Sequence, residues 1–155
     1  MIKIDQIRFD GIKGIDVFIA TSGYEERASY QFMQYKGYPE KKIVLSFSSE
    51  QRNNNRKKND NFFSENKFHN IILDGEDDDK ELLWNIIEEI TEFSNKNNKI
   101  SIYIDYSCMT KNWYGYLLYA IYNNINKNGL VIYFGYSHAV YEPSKNIRAH
   151  NRVVG

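Results

Sequence analysis

Two short polar segments carry most of the side chains in this chain that could do chemistry. The first combines hydroxyls, a glycine, an aromatic ring, two carboxylates and a guanidinium in Thr21, Ser22, Gly23, Tyr24, Glu25, Glu26 and Arg27. The second combines a carboxylate, two hydroxyls, a thiol, a thioether and an amine in Asp105, Ser107, Cys108, Met109, Thr110 and Lys111. Each segment precedes a helix-like stretch, where free backbone N–H groups and the helix dipole favour an anion. These residue types predict a site for a nucleotide or another phosphorylated small molecule.

The second segment offers the clearer anion site. Ser107 and Thr110 lie where a helix is predicted to begin, and Lys111 adds a positive charge in its first turn. Either hydroxyl would alternatively serve only as the helix cap. Asp105 favours a functional role, because a carboxylate at the end of a buried strand costs free energy unless it has a partner or a task.

The first segment adds a flexible turn and more charge. Gly23 permits a tight turn and a close approach of the backbone to a ligand. Glu25 and Glu26 would either act on a ligand or simply complement the dipole of the following helix. Arg27 is expected to pair with Asp105 or with a ligand phosphate. The alternative for Arg27 is a surface salt bridge, which contributes about 0–1 kcal/mol.

If the protein is an enzyme, its acid and base groups come from a small set of side chains. His138 follows the last predicted strand and would contact the ligand or transfer a proton, unless its role is structural. The candidate catalytic residues are therefore Glu25, Glu26, Asp105 and His138. Cys108 lies at a helix start, which favours a thiolate, but no base is near it in the sequence and we do not assign it as a nucleophile.

Two charged runs have explanations that require no ligand. Arg52, Arg56, Lys57 and Lys58 form a basic cluster that predicts a solvated face. On a helix, Arg52 and Arg56 would share one side and could cover a bound phosphate. The acidic run at residues 76–79 predicts the N-terminus of a helix and not a metal site. No metal ion and no cofactor is expected.

Short apolar runs alternate with helical patterns along the chain. Strands are predicted at residues 16–20, 42–47, 69–73, 99–105 and 130–134, and helices at 25–35, 83–93 and 113–125. Residues 48–61 form a polar helix or a loop, and residues 1–9 an edge strand or an arm. This alternation predicts a Rossmann-like three-layer α/β sandwich, with a mainly parallel sheet of five or six strands and helices on both faces. In the strand order 3-2-1-4-5, strands one and four are neighbours, so the two polar segments would lie side by side.

Composition limits the class of protein. The 155 residues suffice for one domain, residues 1–155, which could belong to a longer protein. A net charge of 0 gives no reason to expect direct DNA binding or membrane association. The single cysteine, the lack of a long apolar run and the lack of a signal-peptide pattern predict a cytoplasmic protein. The aromatic residues at 113–119 predict a helix that is buried on two sides or that forms a dimer face, so a homodimer is expected.

The segments after the first and fourth predicted strands resemble those of a known family. A strand that ends in Asp105 and continues as Ser107-Cys108-Met109-Thr110-Lys111 resembles the strand-four motif of CRISPR-associated Rossmann-fold (CARF) domains, and Ala20-Thr21-Ser22-Gly23 resembles their turn after strand one. That family usually has glycine where this chain has Cys108 and Met109. The resemblance implies a dimeric sensor of cyclic oligoadenylates, in some cases one that cuts its ligand. It also implies that Ser107, Thr110 and Lys111 hold ligand phosphate or ribose, assisted by Thr21 and Ser22.

A second resemblance covers residues 16–27 alone. This segment looks like the opening box of Toll/interleukin-1 receptor (TIR) domains, many of which hydrolyse NAD. The resemblance implies that the first polar segment lines a nucleotide pocket. The catalytic glutamate of that family lies on a later helix, and Glu65 is the candidate by position. Both resemblances imply prokaryotic antiviral signalling.

Three hypotheses follow. The first is a domain that senses a nucleotide second messenger, as a dimer, in an antiviral defence system. The second is an enzyme that hydrolyses NAD or another nucleotide. The third is a non-catalytic α/β domain that binds a protein partner and has no pocket.

Overall fold

The computed structural model describes residues 3–75 and 79–139, which form a single parallel β-sheet with helices on both faces. The five strands are β1 (Val17–Ser22), β2 (Lys41–Phe47), β3 (His69–Leu73), β4 (Ile100–Asp105) and β5 (Leu130–Gly135). Every neighbouring pair is parallel, and the order is β3-β2-β1-β4-β5. The predicted Rossmann-like fold class and strand order are confirmed.

Four α-helices connect these strands. They are α1 (Tyr30–Gln34), α2 (Asn54–Glu65), α3 (Asp79–Lys96) and α4 (Lys111–Asn124). The helix predicted at residues 25–35 forms in two parts, because a 3₁₀ turn at Glu26–Ser29 precedes α1. The polar stretch at 48–61 forms a helix only from Asn54, after Asn53 caps it by accepting hydrogen bonds from the N–H groups of Asn55 and Arg56.

Alternation along β1 divides the core into two layers. Val17 and Ile19 point to one face of the sheet, where α3 and α4 bury their apolar sides, whereas Phe18 and Ala20 point to the other. The helical spacing of apolar residues predicts one buried stripe on α3 and one on α4. The first layer contains most of the predicted side chains: Leu83, Ile86, Ile87, Ile90, Phe93, Trp113, Leu117, Ile121 and Ile125 (the last directly after α4). Leu118, predicted on the α4 stripe, is instead 39% exposed. The second layer is aromatic, and Phe18 packs between Phe32 and Tyr103 there.

The basic cluster before and within α2 is not the uniformly solvated face that was predicted. The Arg56 side chain is only 3% exposed and pairs with Asp60 through Nε at 2.9 Å. Its Nη1 also donates to the Ser49 carbonyl at 3.0 Å. Arg52 precedes the helix, so it does not share a helix side with Arg56. Arg56 thus ties α2 to the segment that follows β2, whereas Lys57 and Lys58 are exposed.

The N-terminal arm packs on the α1 side of the sheet. No strand forms within residues 3–9; a 3₁₀ turn at Phe9–Gly11 follows, and the Phe9 ring lies edge-on to Tyr103 at 5.6 Å. The alternative of an arm is therefore correct for that range. Of the acidic run, only Asp79 lies within the described residues; the other three acidic positions lie outside them.

No helix in the described part of the chain has the length and apolar character needed to cross a bilayer.

Candidate functional site

The two polar segments meet at the carboxyl edge of the sheet. Strands β1 and β4 pair directly, with Val17 opposite Ile102 and Ile19 opposite Ile104. A Cβ atom built on Gly23 would lie 3.7 Å from the Cβ atom of Cys108. The predicted juxtaposition of the two segments is thus found in the structure, and we refer to residues 21–27 and 105–111 together as the rim.

Polar groups of the second rim segment bind mainly to the protein itself. Asp105 Oδ1 accepts from the Ser107 N–H at 3.0 Å and from the Ser107 hydroxyl at 2.5 Å. The same hydroxyl accepts from the Ser137 N–H at 2.8 Å. Thr110 is the cap of α4, since its Oγ1 accepts from the Trp113 N–H at 3.3 Å. The hydroxyls predicted to hold a ligand are therefore already engaged in the fold.

Asp105 is an almost fully buried acid. Burial raises the pKa of its carboxyl to about 6, although hydrogen bonds from Ser107 and the charge of Arg27 act in the opposite direction. Arg27 does not form the direct pair with Asp105 that was one of its two predicted roles; its carboxylate partner is Glu25.

A buried chain of hydrogen bonds continues from Asp105 across the α1 side of the sheet. Gln31 donates through Nε2 to the Ser137 hydroxyl at 2.8 Å and accepts from the Tyr103 hydroxyl. Burial, with a contribution from the charge of Asp105, raises the pKa of Tyr103 above its usual range. Sequence reasoning missed Gln31 and Ser137; for Ser137 the available signal was its position next to His138, after the last strand.

Thr21 and Ser22 are not loop residues. Both belong to β1, where they pair with Leu45 and Ser46 of β2, and both are buried. Ser22 donates through Oγ to Asp60 at 2.5 Å. Within the described residues, Thr21 Oγ1 is the one buried side-chain polar atom without a hydrogen-bond partner. Because Thr21 alternates with Ala20, it points to the α3 and α4 side.

Arg27 is the cation at which two segments meet, the one after β1 and the one after β5. Its Nε and Nη2 donate to the two carboxylate oxygens of Glu25 at 2.8 and 3.2 Å. Its Nη1 donates to the Tyr136 hydroxyl at 2.9 Å and to the Ser137 carbonyl at 2.6 Å. Burial alone would lower the pKa of Arg27, but the hydrogen bonds to Glu25 and Tyr136 hold it above its usual value. Arg27 therefore stays charged, and both edges of its guanidinium are hydrogen-bonded to the protein.

The remaining rim residues divide between core and surface. Burial, with the nearby charge of Glu25, raises the pKa of the Cys108 thiol to about 12, so the thiolate that a nucleophile requires is not favoured. Met109 packs in the core below the loop. Tyr24 and Lys111 are exposed, Lys111 at the first position of α4.

A large groove opens beside the rim, on the α1 side of the sheet. Its volume is about 1690 Å³, and its walls come from residues 8–14, 25–37 and 136–139. Of the predicted site residues, it is lined by Glu25, Glu26, Arg27 and His138. The second rim segment is not part of its lining, and neither is Glu65, which is exposed at the last position of α2.

The groove also contains aromatic residues that sequence reasoning did not select. Tyr30 is 51% exposed and Tyr136 is 43% exposed. The Tyr136 ring lies 5.1 Å below the Arg27 guanidinium and has His138 edge-on at 5.2 Å. Within residues 3–75 and 79–139, no three His, Cys, Asp or Glu side chains are grouped as a metal ion would require.

Fold and groove together define a doubly wound parallel α/β domain with a cleft along its α1 side that reaches the carboxyl edge of the sheet. No family model, curated protein or solved structure matches this chain. Its function therefore has to be argued from the residues of the cleft.

Proposed function

We propose that this domain binds a nucleotide-type second messenger in the groove and acts as the sensor of a prokaryotic antiviral defence system. The observation that carries the proposal is Arg27, a cation held in the groove wall where the segments after β1 and β5 meet. In doubly wound sheets this edge is where ligands bind. The defence role comes from the resemblance of the rim to CARF and TIR segments.

The size and chemistry of the groove support a nucleotide ligand larger than a single nucleotide. Pockets for drug-sized ligands have volumes of roughly 300–1000 Å³, and this groove exceeds that range. Exposed rings at Tyr30 and Tyr136 offer surfaces on which bases stack. Further cations in the walls are supplied by Arg8, Lys13 and Lys36.

Binding without chemistry is the better-supported activity, because two of the four candidate catalytic groups are already engaged within the protein. Asp105 is buried outside the groove lining, and Glu25 is paired with Arg27. An alternative hydrolytic activity is favoured by one observation: Glu26 and His138 are both exposed and both line the groove, as an acid–base pair would. Chromatography of the nucleotide after incubation distinguishes the two, since a sensor returns it intact.

We also propose that the sensor is a homodimer formed through α4 and β5. Helix α4 has one charged residue, Lys111, in 14 positions. Its outer side and β5 expose apolar side chains: Leu118, Tyr119, Tyr122, Val131 and Phe134. A surface helix with so little charge is typical of one that is covered. A second copy is the occupant that we favour, because a chain with a net charge of 0 does not repel itself.

The ligand proposal is tested by thermal shift with cyclic oligoadenylates, NAD and ADP-ribose. A ligand at 100 times its dissociation constant should stabilise the wild type by about 2.7 kcal/mol. Tyr30→Ala removes an exposed ring from the groove and should weaken binding about tenfold or more, with little change in the melting temperature of the free protein.

Tyr38→Ala is the matched control for Tyr30→Ala. Tyr38 is also an exposed tyrosine, at 99%, but it lies outside the groove lining. Equal loss of affinity in the two variants would show that the groove is not the binding site. No stabilisation by any of the three nucleotide classes would show that the proposed ligand class is wrong.

A further inference from the structure

The carboxylate of Glu25 occupies the Nε–Nη2 edge of the Arg27 guanidinium, which is the edge that a ligand phosphate would bind. Both residues line the groove, and Glu25 Oε2 and Oε1 accept from Arg27 Nε and Nη2 at 2.8 and 3.2 Å. The planar guanidinium fork fits a carboxylate and a phosphate equally well, with two parallel hydrogen bonds. Glu25 is thus a chemical stand-in for an anionic group of the ligand.

Arg27 does not need Glu25 to hold its position. Its Nη1 donates to the Tyr136 hydroxyl and the Ser137 carbonyl, and its guanidinium lies over the Tyr136 ring. Tyr136 is in turn packed against Tyr106 at 5.2 Å. If the Glu25 carboxylate leaves, a fixed cation with a free Nε–Nη2 edge remains in the groove wall.

Glu25 can leave without moving the backbone of the rim. Its carbonyl oxygen accepts from Asn59 Nδ2 at 2.8 Å, and the Gly23 carbonyl accepts from the same amide at 2.8 Å. The Glu25 side chain, by contrast, is 31% exposed and has no protein partner besides Arg27 among the residues described. Rotation of its side-chain torsions is therefore enough to bring the carboxylate into water.

We propose that Glu25 is an internal competitor for the anionic group of the ligand: it occupies the Arg27 fork in the free protein, and a phosphate group binds by displacing it. This inference rests on the proposed function of the groove as the ligand site. It predicts that the wild type binds anions more weakly than a variant in which Arg27 has no Glu25 carboxylate as partner. It also makes the release of Glu25 the first structural change that ligand binding causes.

The test measures the affinity for inorganic pyrophosphate, followed by NMR at the Arg27 Nε–H resonance. Glu25→Gln should bind pyrophosphate at least about tenfold more tightly than the wild type, because an amide competes poorly for a guanidinium. Glu26→Gln removes the same charge from the same groove without touching Arg27, so it measures the purely electrostatic gain. An equal gain in pyrophosphate affinity in the two variants, or no gain in Glu25→Gln, would show that pyrophosphate does not bind by displacing Glu25.

Two further measurements separate this inference from the proposed function. Adding Arg27→Lys to Glu25→Gln should abolish the gain, since lysine does not present a fork. If pyrophosphate behaves as expected but no nucleotide stabilises the wild type, the displacement stands and the proposed ligand class is wrong. If a nucleotide binds the wild type and Glu25→Gln equally, the proposed function stands and the displacement is wrong.

Discussion

Asp105 is the rim residue with the most unfavourable environment. Asp105 is 2% exposed, and among the described residues its carboxylate accepts hydrogen bonds from Ser107 alone. The charge of Arg27 favours the ionised form of Asp105, although Arg27 is itself paired with Glu25. Because the pKa in the folded state is about 6 and that of an exposed aspartate about 3.8, folding takes up a proton between these values.

This shift has a direct consequence for stability. Asp105 contributes most to the free energy of unfolding below pH 3.8, and this contribution is lost as the pH rises through about 6. Asp105→Asn keeps the acceptor for Ser107 and removes the charge, so it should gain stability over the wild type by up to about 3 kcal/mol between pH 4 and pH 7. Urea unfolding at the two pH values measures the gain. A difference between variant and wild type that does not change with pH would contradict the raised pKa.

At the residue scale, chemistry is decided by which polar groups already have hydrogen-bond partners in the protein. Ser107 and Thr110 have the residue types of an anion site, yet their hydroxyls bind Asp105 and the Trp113 N–H. The simpler reading of Thr110 as a helix cap is confirmed. Arg27 keeps a predicted ligand role because its partner, Glu25, is partly exposed and replaceable.

At the scale of elements, α2 shows how a polar segment is held in place. Its mean composition is strongly polar, but Arg56, Asn59 and Phe63 are buried against the rest of the fold. Arg56 and Ser22 both donate to Asp60, which links α2 to the end of β1. Asn59 holds two carbonyls of the first rim segment. Helix α2 thus holds the first rim segment in place.

Arg56→Ala should destabilise the protein by about 2 kcal/mol, because it removes a buried guanidinium that donates to Asp60 and to the Ser49 carbonyl. Lys57→Ala, the neighbouring exposed position on the same helix, should change stability by no more than about 0.5 kcal/mol. Chemical denaturation of both variants provides the comparison. If the two cost the same, Arg56 belongs to a solvated face after all.

At the scale of the whole molecule, the two edges of the sheet differ. The β5 edge is flanked by α4 and exposes aromatic and aliphatic side chains, whereas β3 forms the opposite edge and exposes Ile72. An unpaired edge beside an apolar helix is a surface on which chains associate.

Light scattering of the wild type should therefore give twice the mass of one chain. Leu118→Lys, on α4, should shift the protein to the monomer, because it places a charge in the proposed interface. Ile72→Lys places the same charge on an exposed apolar position of the opposite edge and should leave the dimer intact. A monomeric wild type, or dissociation by both substitutions, would exclude this interface.

The sequence by itself determined the strands, the strand order and the meeting of the two rim segments. Period-two and period-3.6 patterns are local, so the predicted strands differ from the observed ones by at most two residues at an end. Right-handed crossovers then leave few topologies, which is why β1 and β4 could be placed side by side.

Tertiary structure alone decided which of these groups are free to bind a ligand. The partners of Ser22, Ser107 and Arg27 include Asp60, Ser137 and Tyr136, which lie 30 to 109 positions away along the chain. The groove likewise joins an N-terminal arm to the segment after β5. Local patterns record burial and turns, but a hydrogen bond depends on a distance across the folded molecule, and no local pattern contains that distance.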